Sequence, residues 1–109
     1  MHPANELNKA FESRIRLGIM SLLMVNDWVD FATFKETFDL TDGNLASHLS
    51  ALEKIEFIQI RKIFIGKKPN ASYAATKIGE KAFRDHLDNL EKLLKMQLFQ
   101  LRELKKSKL

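Results

Sequence analysis

The first regular pattern of apolar and polar positions lies between Arg14 and Val25. Four apolar residues stand at the i, i+4, i+7 and i+8 positions of one helical face: Ile15, Ile19, Leu22 and Leu23. This spacing predicts an amphipathic helix, and Ser13 is suited to be its N-cap. Upstream, Pro3 is suited to the first turn of a short helix that continues over residues 5–11.

Two more helices are predicted close together in the middle of the chain. Thr33, with Glu36 three residues later, forms the pattern of a capping box, which predicts a short helix that ends near Leu40. Thr41 is the predicted N-cap of the second helix, which covers residues 42–55. The apolar stripe of that helix is Leu45, Leu49, Leu52 and Ile55. Two helices joined by a tight turn form a candidate helix-turn-helix.

The stretches with β propensity are short and are bounded by turn residues. Residues 28–31 (WVDF) predict a small strand, and residues 57–65 (FIQIRKIFI) predict a longer one. Turn residues follow at 66–70 (GKKPN), and residues 71–75 (ASYAA) predict a return strand. The result is a hairpin with two lysines at its tip, directly after the candidate helix-turn-helix.

The last apolar repeat begins after Thr76, the predicted N-cap of a helix over residues 77–106. Its leucines approach the 3-4 spacing of a heptad at Leu87, Leu90, Leu94, Leu101 and Leu104. Gln97 interrupts this pattern, and Leu93 and Leu98 widen the stripe. A helix of about 30 residues spans about 45 Å, longer than a domain of this size needs. The leucines either complete the intramolecular core or pair with a second chain, and the surplus favours the second. We therefore predict a dimer interface made by Leu87, Leu90, Leu94, Leu98 and Leu101.

The composition excludes several kinds of site. The length of 109 residues suggests one domain, and the absence of cysteine excludes disulfides, thiolate metal sites and cysteine nucleophiles. His2, His48 and His86 are scattered, and neither a phosphate-cradling glycine loop nor a nucleophile motif accompanies them. We therefore expect no enzyme, no cofactor and no metal site.

The sequence has no apolar signal core and no run of about 18 apolar residues, which predicts a cytoplasmic protein without a membrane partner.

The net charge of +4 is unevenly distributed. Residues 1–56 hold five basic and nine acidic residues, residues 57–79 hold five basic and no acidic ones, and residues 80–109 hold eight basic and five acidic ones. A local excess of positive charge indicates an anionic partner, with nucleic acid as the first candidate. A solvated lysine-rich surface is the other interpretation.

The polar side of the helix after Thr41 consists of short side chains. It carries Asn44, Ser47 and His48, where a solvated helix face usually carries long charged residues. The major groove of B-DNA is about 12 Å wide and admits one helix, which contacts DNA mainly through its N-terminal turns. Short polar groups in those turns are typical of a helix that reads DNA, although they also satisfy a plain solvent-facing surface.

The order of these motifs resembles the small winged-helix transcriptional regulators allied to the MarR and ArsR groups. The similarity covers about residues 12–95. It rests on RIRLGIMSLL (14–23), DFATFKE (30–36), LTDGNLASHLSALEK (40–54), a wing that reads F-x-G-K-K-P-x-x-S-Y from Phe64 to Tyr73, and TKIGEKAF (76–83). This chain departs from the pattern at Asn70 and Ala71, where a basic residue and Thr are common, and at Ala75, where Leu is usual.

The resemblance implies an α+β fold that is mostly α: a winged helix-turn-helix with a two-stranded wing and a long C-terminal dimerisation helix. It implies one domain over residues 1–109, with its core at 13–76 and the dimerisation helix at 77–106. It further implies a homodimeric prokaryotic regulator, a repressor, that binds a palindromic operator of double-stranded DNA. The recognition helix would enter the major groove, and the wing would lie on the backbone or in the minor groove.

The predicted DNA contacts lie in two segments. They are Thr41, Gly43, Asn44, Ser47, His48 and Lys54 in the recognition helix, and Arg61, Lys62, Lys67, Lys68 and Asn70 in the hairpin. Asn44 suits bidentate bonding to adenine. Arg61 and Lys62 point to opposite faces of their strand, so at most one of them faces DNA. His48 is alternatively a surface histidine or a pH switch, and the hairpin lysines alternatively protect a sheet edge.

Two other functions remain open from the sequence. The basic wing of a winged-helix fold can dock an acidic protein instead of a specific DNA target, and a basic last helix can bind a membrane surface, although its acidic residues weaken that interpretation. A small-molecule effector of unknown identity is also compatible with the resemblance. Trp28, Phe31 and Phe99 are candidates to line its cleft, but core packing explains these residues better.

Overall fold

The computed structural model describes residues 2–107. The helices and strands, in chain order, are α1 (Arg14–Val25), β1 (Val29–Asp30), α2 (Phe31–Phe38), α3 (Asp42–Lys54), β2 (Ile58–Ile65), β3 (Lys68–Ala75) and α4 (Lys77–Ser107). The predicted class, a mostly helical α+β fold with a winged helix-turn-helix and a long last helix, is confirmed.

The segment before α1 differs from the prediction. Two 3₁₀ turns, Pro3–Glu6 and Lys9–Phe11, take the place of the expected helix over residues 5–11. Asn8 separates them because its side chain caps the second turn. The backbone N–H of Asn8 donates to Nδ1 of His86 on α4, at 3.1 Å. The segment is thus held by a residue 78 positions away, and local propensity does not reveal that contact.

The helix caps agree with the sequence except at α2. Ser13 and Thr41 are N-caps as predicted, and each side-chain oxygen accepts from the N–H three residues later. The predicted capping box at Thr33 is wrong. Asp30 is the N-cap of α2, and its Oδ1 accepts from the N–H of Thr33 at 2.8 Å. Hydrogen bonds from Thr33 lower the pKa of Asp30 below its ordinary value of 3.8, which favours the charged cap.

The three strands lie in the order β1-β3-β2, and both pairs are antiparallel. The wing is the β2–β3 hairpin, closed by Gly66 and Lys67, with Ile65 opposite Lys68. The φ of +65° at Gly66 fits a two-residue hairpin turn, which needs a positive φ. The predicted turn over residues 66–70 is therefore too long, since residues 68–70 pair with β2.

The hydrophobic core fills the space between the helices and one face of the sheet. Its fully buried side chains are Ile19, Met20, Phe34, Leu45, Leu49 and Leu52. Ile58 and Tyr73 close the core from the sheet. Phe11 and Phe83 meet edge to face, with ring centroids 5.5 Å apart. The N-terminal segment and the start of α4 therefore belong to the same core as the helix-turn-helix.

Most of α4 extends away from that core. Phe83 and His86 are buried, but the later residues of the helix are mostly exposed, and the molecule measures 70 × 25 × 22 Å. Phe99 is 59% exposed, so the expectation that core packing explains it is wrong. Trp28 and Phe31 are half-buried, and Phe31 packs against the core as expected.

The C-terminus of α3 ends in a Schellman motif. The N–H of Phe57 donates to the carbonyl of Leu52 at 3.0 Å, and the N–H of Glu56 donates to that of Glu53 at 2.9 Å. Glu56 has the left-handed φ of +63° that this motif requires at its turning residue. The motif directs the chain into β2 immediately after the recognition helix.

The same corner anchors the start of α4. The backbone N–H of Thr76 donates to the carbonyl of Phe57 at 3.0 Å, and Oγ1 of Thr76 donates to the carbonyl of Glu56 at 2.5 Å. Oγ1 of Thr76 also accepts from the N–H of Gly79, so Thr76 is the N-cap predicted from the sequence. A Cβ at Gly79 would lie 2.8 Å from the carbonyl carbon of Phe57 and closer still to its oxygen. Glycine therefore allows α4 to press against the end of α3.

We expect the stability of the fold to decrease in mild acid because of His86. Burial lowers the pKa of His86 below its ordinary value of 6.5, so the folded state binds fewer protons than the unfolded state. The contribution of His86 to the free energy of unfolding is complete above pH 6.5 and is lost as the pH falls below that value. Thermal melts at pH 7.5 and 5.5 should show a lower Tm at the acidic pH.

The variant His86→Gln provides the comparison, because an amide oxygen can still accept from the N–H of Asn8 but does not titrate. Its Tm should fall less between the two pH values than that of the parent protein. A residual decrease is expected from His48, whose pKa is also lowered. An equal decrease in both proteins would contradict the role of His86.

None of the helices within residues 2–107 is long and apolar enough to cross a membrane.

Candidate nucleic-acid interface

The first turns of α3 present an exposed face of short polar groups. Thr41, Gly43, Asn44 and Ser47 are all exposed, whereas the leucine stripe on the other side of the helix is buried. No atom lies within 4 Å of a Cβ built on Gly43, so the backbone of this turn is open to a ligand. The helix therefore divides into a side that packs and a side that is free to bind.

An ion pair moderates the charge at the start of α3. Nζ of Lys35, on α2, lies 2.8 Å from Oδ1 of Asp42. Asp42 alone would repel a phosphate, although the positive end of the helix dipole stabilises its carboxylate. Because Lys35 accompanies it, the first turn carries no net negative charge from this pair.

His48 lies one turn further along α3 and is held by Arg16 of α1. Nε of Arg16 donates to Nδ1 of His48 at 3.2 Å, and His48 is half-buried. Burial first, and the charge of Arg16 second, lower the pKa of His48 below 6.5. The ring is therefore neutral at pH 7, with Nδ1 as an acceptor. The remaining proton is on Nε2, which can donate to a base edge or a phosphate.

The tip of the wing is an exposed cationic turn. Gly66, Lys67 and Lys68 are all exposed, and within residues 2–107 neither lysine forms a salt bridge with an acidic group. Lys54, the last helical residue of α3, is exposed as well. The lysines predicted to grip DNA are thus accessible at two separate points of the fold.

The remaining predicted wing residues lie on both faces of the hairpin. The guanidinium of Arg61 stacks on the ring of Trp28, 4.1 Å from its centroid, whereas Lys62 is exposed on the opposite face. Oγ of Ser72 donates to Oδ1 of Asn70 at 3.0 Å, so Asn70 already has a partner on the Arg61 face. Arg61 and Lys62 are thus both exposed, on opposite faces of the hairpin, whereas Asn70 is half-buried.

A model of the family described as winged helix DNA-binding domain matches residues 15–94 of this chain. The chain belongs to that family. An uncharacterized protein of Methanocaldococcus jannaschii is 33% identical over 87 residues, which make up 80% of this chain and 95% of the relative.

Solved structures agree with this assignment. A transcriptional regulator homologue from Pyrococcus horikoshii OT3 superposes with a TM-score of 0.71 at 28% identity, covering 85% of this chain and 97% of the other. PadR of Bacillus subtilis, solved in complex with operator DNA, has a TM-score of 0.62 at 19% identity, covering 69% of this chain and 47% of PadR. Similarity at that lower identity shows the fold. Together with the family, the regulator homologue from Pyrococcus horikoshii supports a DNA-binding regulator.

Two features of this winged-helix protein were not predicted from the sequence. Arg16 lies within the predicted amphipathic helix, yet it also fixes the ring of His48, 32 residues away. The outer wing exposes Ile63, Phe64 and Ile65, which the β propensity places in a strand without indicating their exposure. The first contact needs tertiary information. The second had a signal, since three consecutive apolar residues break the alternation of a strand that is buried on one face only.

Proposed function

We propose that this winged-helix protein binds double-stranded DNA sequence-specifically, as a homodimer that represses transcription. The observation that carries the proposal is the exposed short polar face of α3 beside an accessible, lysine-tipped wing. A protein of the same fold, PadR, has been solved in complex with operator DNA, which supports DNA as the binding partner.

The first half of α3 is proposed to lie in the major groove. Asn44 can bond bidentately to adenine, and Ser47 can bond to a base or a phosphate. The backbone at Gly43 and the free N–H groups of the first turn favour a nearby phosphate. His48, fixed by Arg16, presents its Nε2 proton on the same side of the helix. Lys54, at the C-terminal end of α3, would contact the DNA backbone.

The stretch of α4 from Leu87 to Leu101 is proposed to form the dimer. Its leucines are exposed in the single chain, with Leu87 at 44%, Leu94 at 58% and Leu101 at 54%. An exposed apolar stripe of this length usually marks a contact surface. A twofold dimer would present two copies of α3 to successive major-groove faces, about one DNA turn apart, which calls for a palindromic operator.

The lysines of the wing tip should determine how strongly binding responds to salt. For Lys67→Ala with Lys68→Ala, we expect weaker binding to all duplexes by a similar factor. The slope of log K against log salt should decrease by about 0.9 for each phosphate that the variant no longer neutralises. Fluorescence anisotropy with a labelled duplex at several salt concentrations measures both quantities.

The matched control is Lys105→Ala with Lys106→Ala, which removes the same charge at the far end of α4. It should leave the salt slope nearly unchanged. If the parent protein and both variants show the same flat, weak response to salt, the surface does not bind DNA, and docking of an acidic protein becomes the better explanation.

Asn44 should contribute discrimination rather than general affinity. On a duplex recovered from a random pool with the parent protein, we expect Asn44→Ala to lose about 1–3 kcal/mol of preference at one base pair per half-site. Competition among single-base variants of that duplex measures this preference. An equal loss on every variant would show that Asn44 does not read a base.

A further inference from the structure

The outer half of the wing exposes apolar side chains for which neither the core nor the proposed dimer accounts. Ile63 is 39% exposed, Phe64 is 75% exposed and Ile65 is 62% exposed. An exposed hairpin is ordinarily protected by charged or polar residues, because its apolar edge favours aggregation. Phe64 has three quarters of its surface in water and lies next to the lysines that are proposed to contact DNA. Such a phenylalanine requires a binding partner.

The strand register shows which face carries Phe64. Phe64 lies opposite Pro69, and Ile60 lies opposite Tyr73 four residues earlier on the same face. Tyr73 and Ile60 pack on the core, so this is the face that covers the helices. Phe64 and Pro69 continue it beyond the core. Ile65 lies on the opposite face, with Arg61.

The charges around Phe64 favour a polyanion as its partner. Lys62 shares its face, two residues away, and Lys67 and Lys68 follow at the tip. No acidic residue occurs between positions 57 and 79. An aromatic side chain surrounded by lysines is a poor match for a purely hydrophobic protein surface. It matches DNA, whose phosphates attract the lysines while its base pairs offer flat apolar surfaces.

We propose that Phe64 is a wedge residue, which enters the minor groove next to the site of α3 and partly unstacks one base step. Apolar wedges of this kind kink duplexes by about 20–90°. Pyrimidine–purine steps unstack most easily, so the wedge would select such a step at a position that α3 does not touch. This inference rests on the proposed function, since it adds a second reading element to the same interface.

The test uses a duplex recovered from a random pool with the parent protein, with 2-aminopurine placed in turn at each adenine. At saturating protein, the parent should raise 2-aminopurine fluorescence at one flanking step per half-site and bring dyes at the duplex ends closer together. Phe64→Ala should lose both signals. Its preference for a pyrimidine–purine step over a stiff A-tract at that place should fall by on the order of tenfold.

Two variants make the comparison specific. Ile65→Ala removes a neighbouring apolar side chain of similar exposure from the opposite face and should keep both signals. Phe64→Leu retains an apolar wedge and should keep much of the bend. All three substitutions are in exposed positions, so their melting temperatures should stay close to that of the parent protein.

The outcomes separate this inference from the proposed function. Salt-dependent binding of the duplex by the parent, with no unstacking at any position, overturns the wedge and leaves DNA binding intact. Equal effects of Phe64→Ala and Ile65→Ala also overturn it. If Phe64→Ala instead dissociates the dimer in the absence of DNA, the face is a contact between copies and the wedge is overturned. If the parent protein binds no duplex, the proposed function fails first, and the wedge fails with it.

Discussion

Leu94→Glu is expected to convert the protein into a monomer and to weaken operator binding by about 100- to 10,000-fold. Leu94 lies in the middle of the leucine stripe of α4 and is 58% exposed in the single chain. In a twofold dimer, two carboxylates would face each other in an apolar interface, where an unpaired charge is costly. Without the dimer, the second half-site no longer benefits from the high effective concentration that the first provides.

Met96→Glu is the matched control for this prediction. It adds the same charge to the same helix at a residue that is 42% exposed, about 200° around the helix from Leu94. Sedimentation velocity should show a monomer for Leu94→Glu and a dimer for Met96→Glu, and both variants should remain helical by circular dichroism. A dimeric Leu94→Glu variant, or equal dissociation of the two, would place the interface elsewhere.

Gly79→Ala is expected to destabilise the fold by about 1–3 kcal/mol, as overpacking typically does. The added Cβ would lie 2.8 Å from the carbonyl carbon of Phe57 and closer still to the carbonyl oxygen. Both are backbone atoms, and the oxygen also accepts from the N–H of Thr76, so α4 has to move away from the end of α3. The better helix propensity of alanine, up to about 1 kcal/mol, offsets only part of this cost.

Gly43→Ala, at another helical glycine, is not expected to destabilise the fold. No atom lies within 4 Å of its added Cβ, so helix propensity should dominate and stability should stay the same or rise by up to about 1 kcal/mol. Urea denaturation measures both variants. If Gly79→Ala is as stable as the parent protein, the close approach of α4 to Phe57 does not limit the packing.

Local sequence information was sufficient for most of the fold. The apolar periodicity located α1, α3 and α4, and Ser13, Thr41 and Thr76 are the caps that the sequence predicted. These features depend on residues three or four positions apart, so a single chain segment determines them. The candidate binding residues of α3 were predictable for the same reason, because a buried stripe on one side of a helix specifies which residues are exposed on the other.

Contacts between distant segments account for two of the predictions that were wrong. The N-cap of α2 is Asp30 rather than Thr33, because β1 pairs with Tyr73 and Ser72 and continues directly into the helix. The N-terminal segment forms 3₁₀ turns, and His86 of α4 holds the residue between them. The local pattern of apolar and polar positions does not indicate either contact.

The order of the helices and strands from α1 to α4, the two sides of α3 and the cationic tip of the wing could all be predicted from the sequence. Tertiary packing was needed to show that Arg16 orients His48 and that Phe64 continues the core face beyond the core. Periodicity and capping act between near neighbours, so one segment is enough to reveal them. The bonds from Arg16 to His48 and from Asn8 to His86 join residues 32 and 78 positions apart, and such partners meet only when the whole chain has folded.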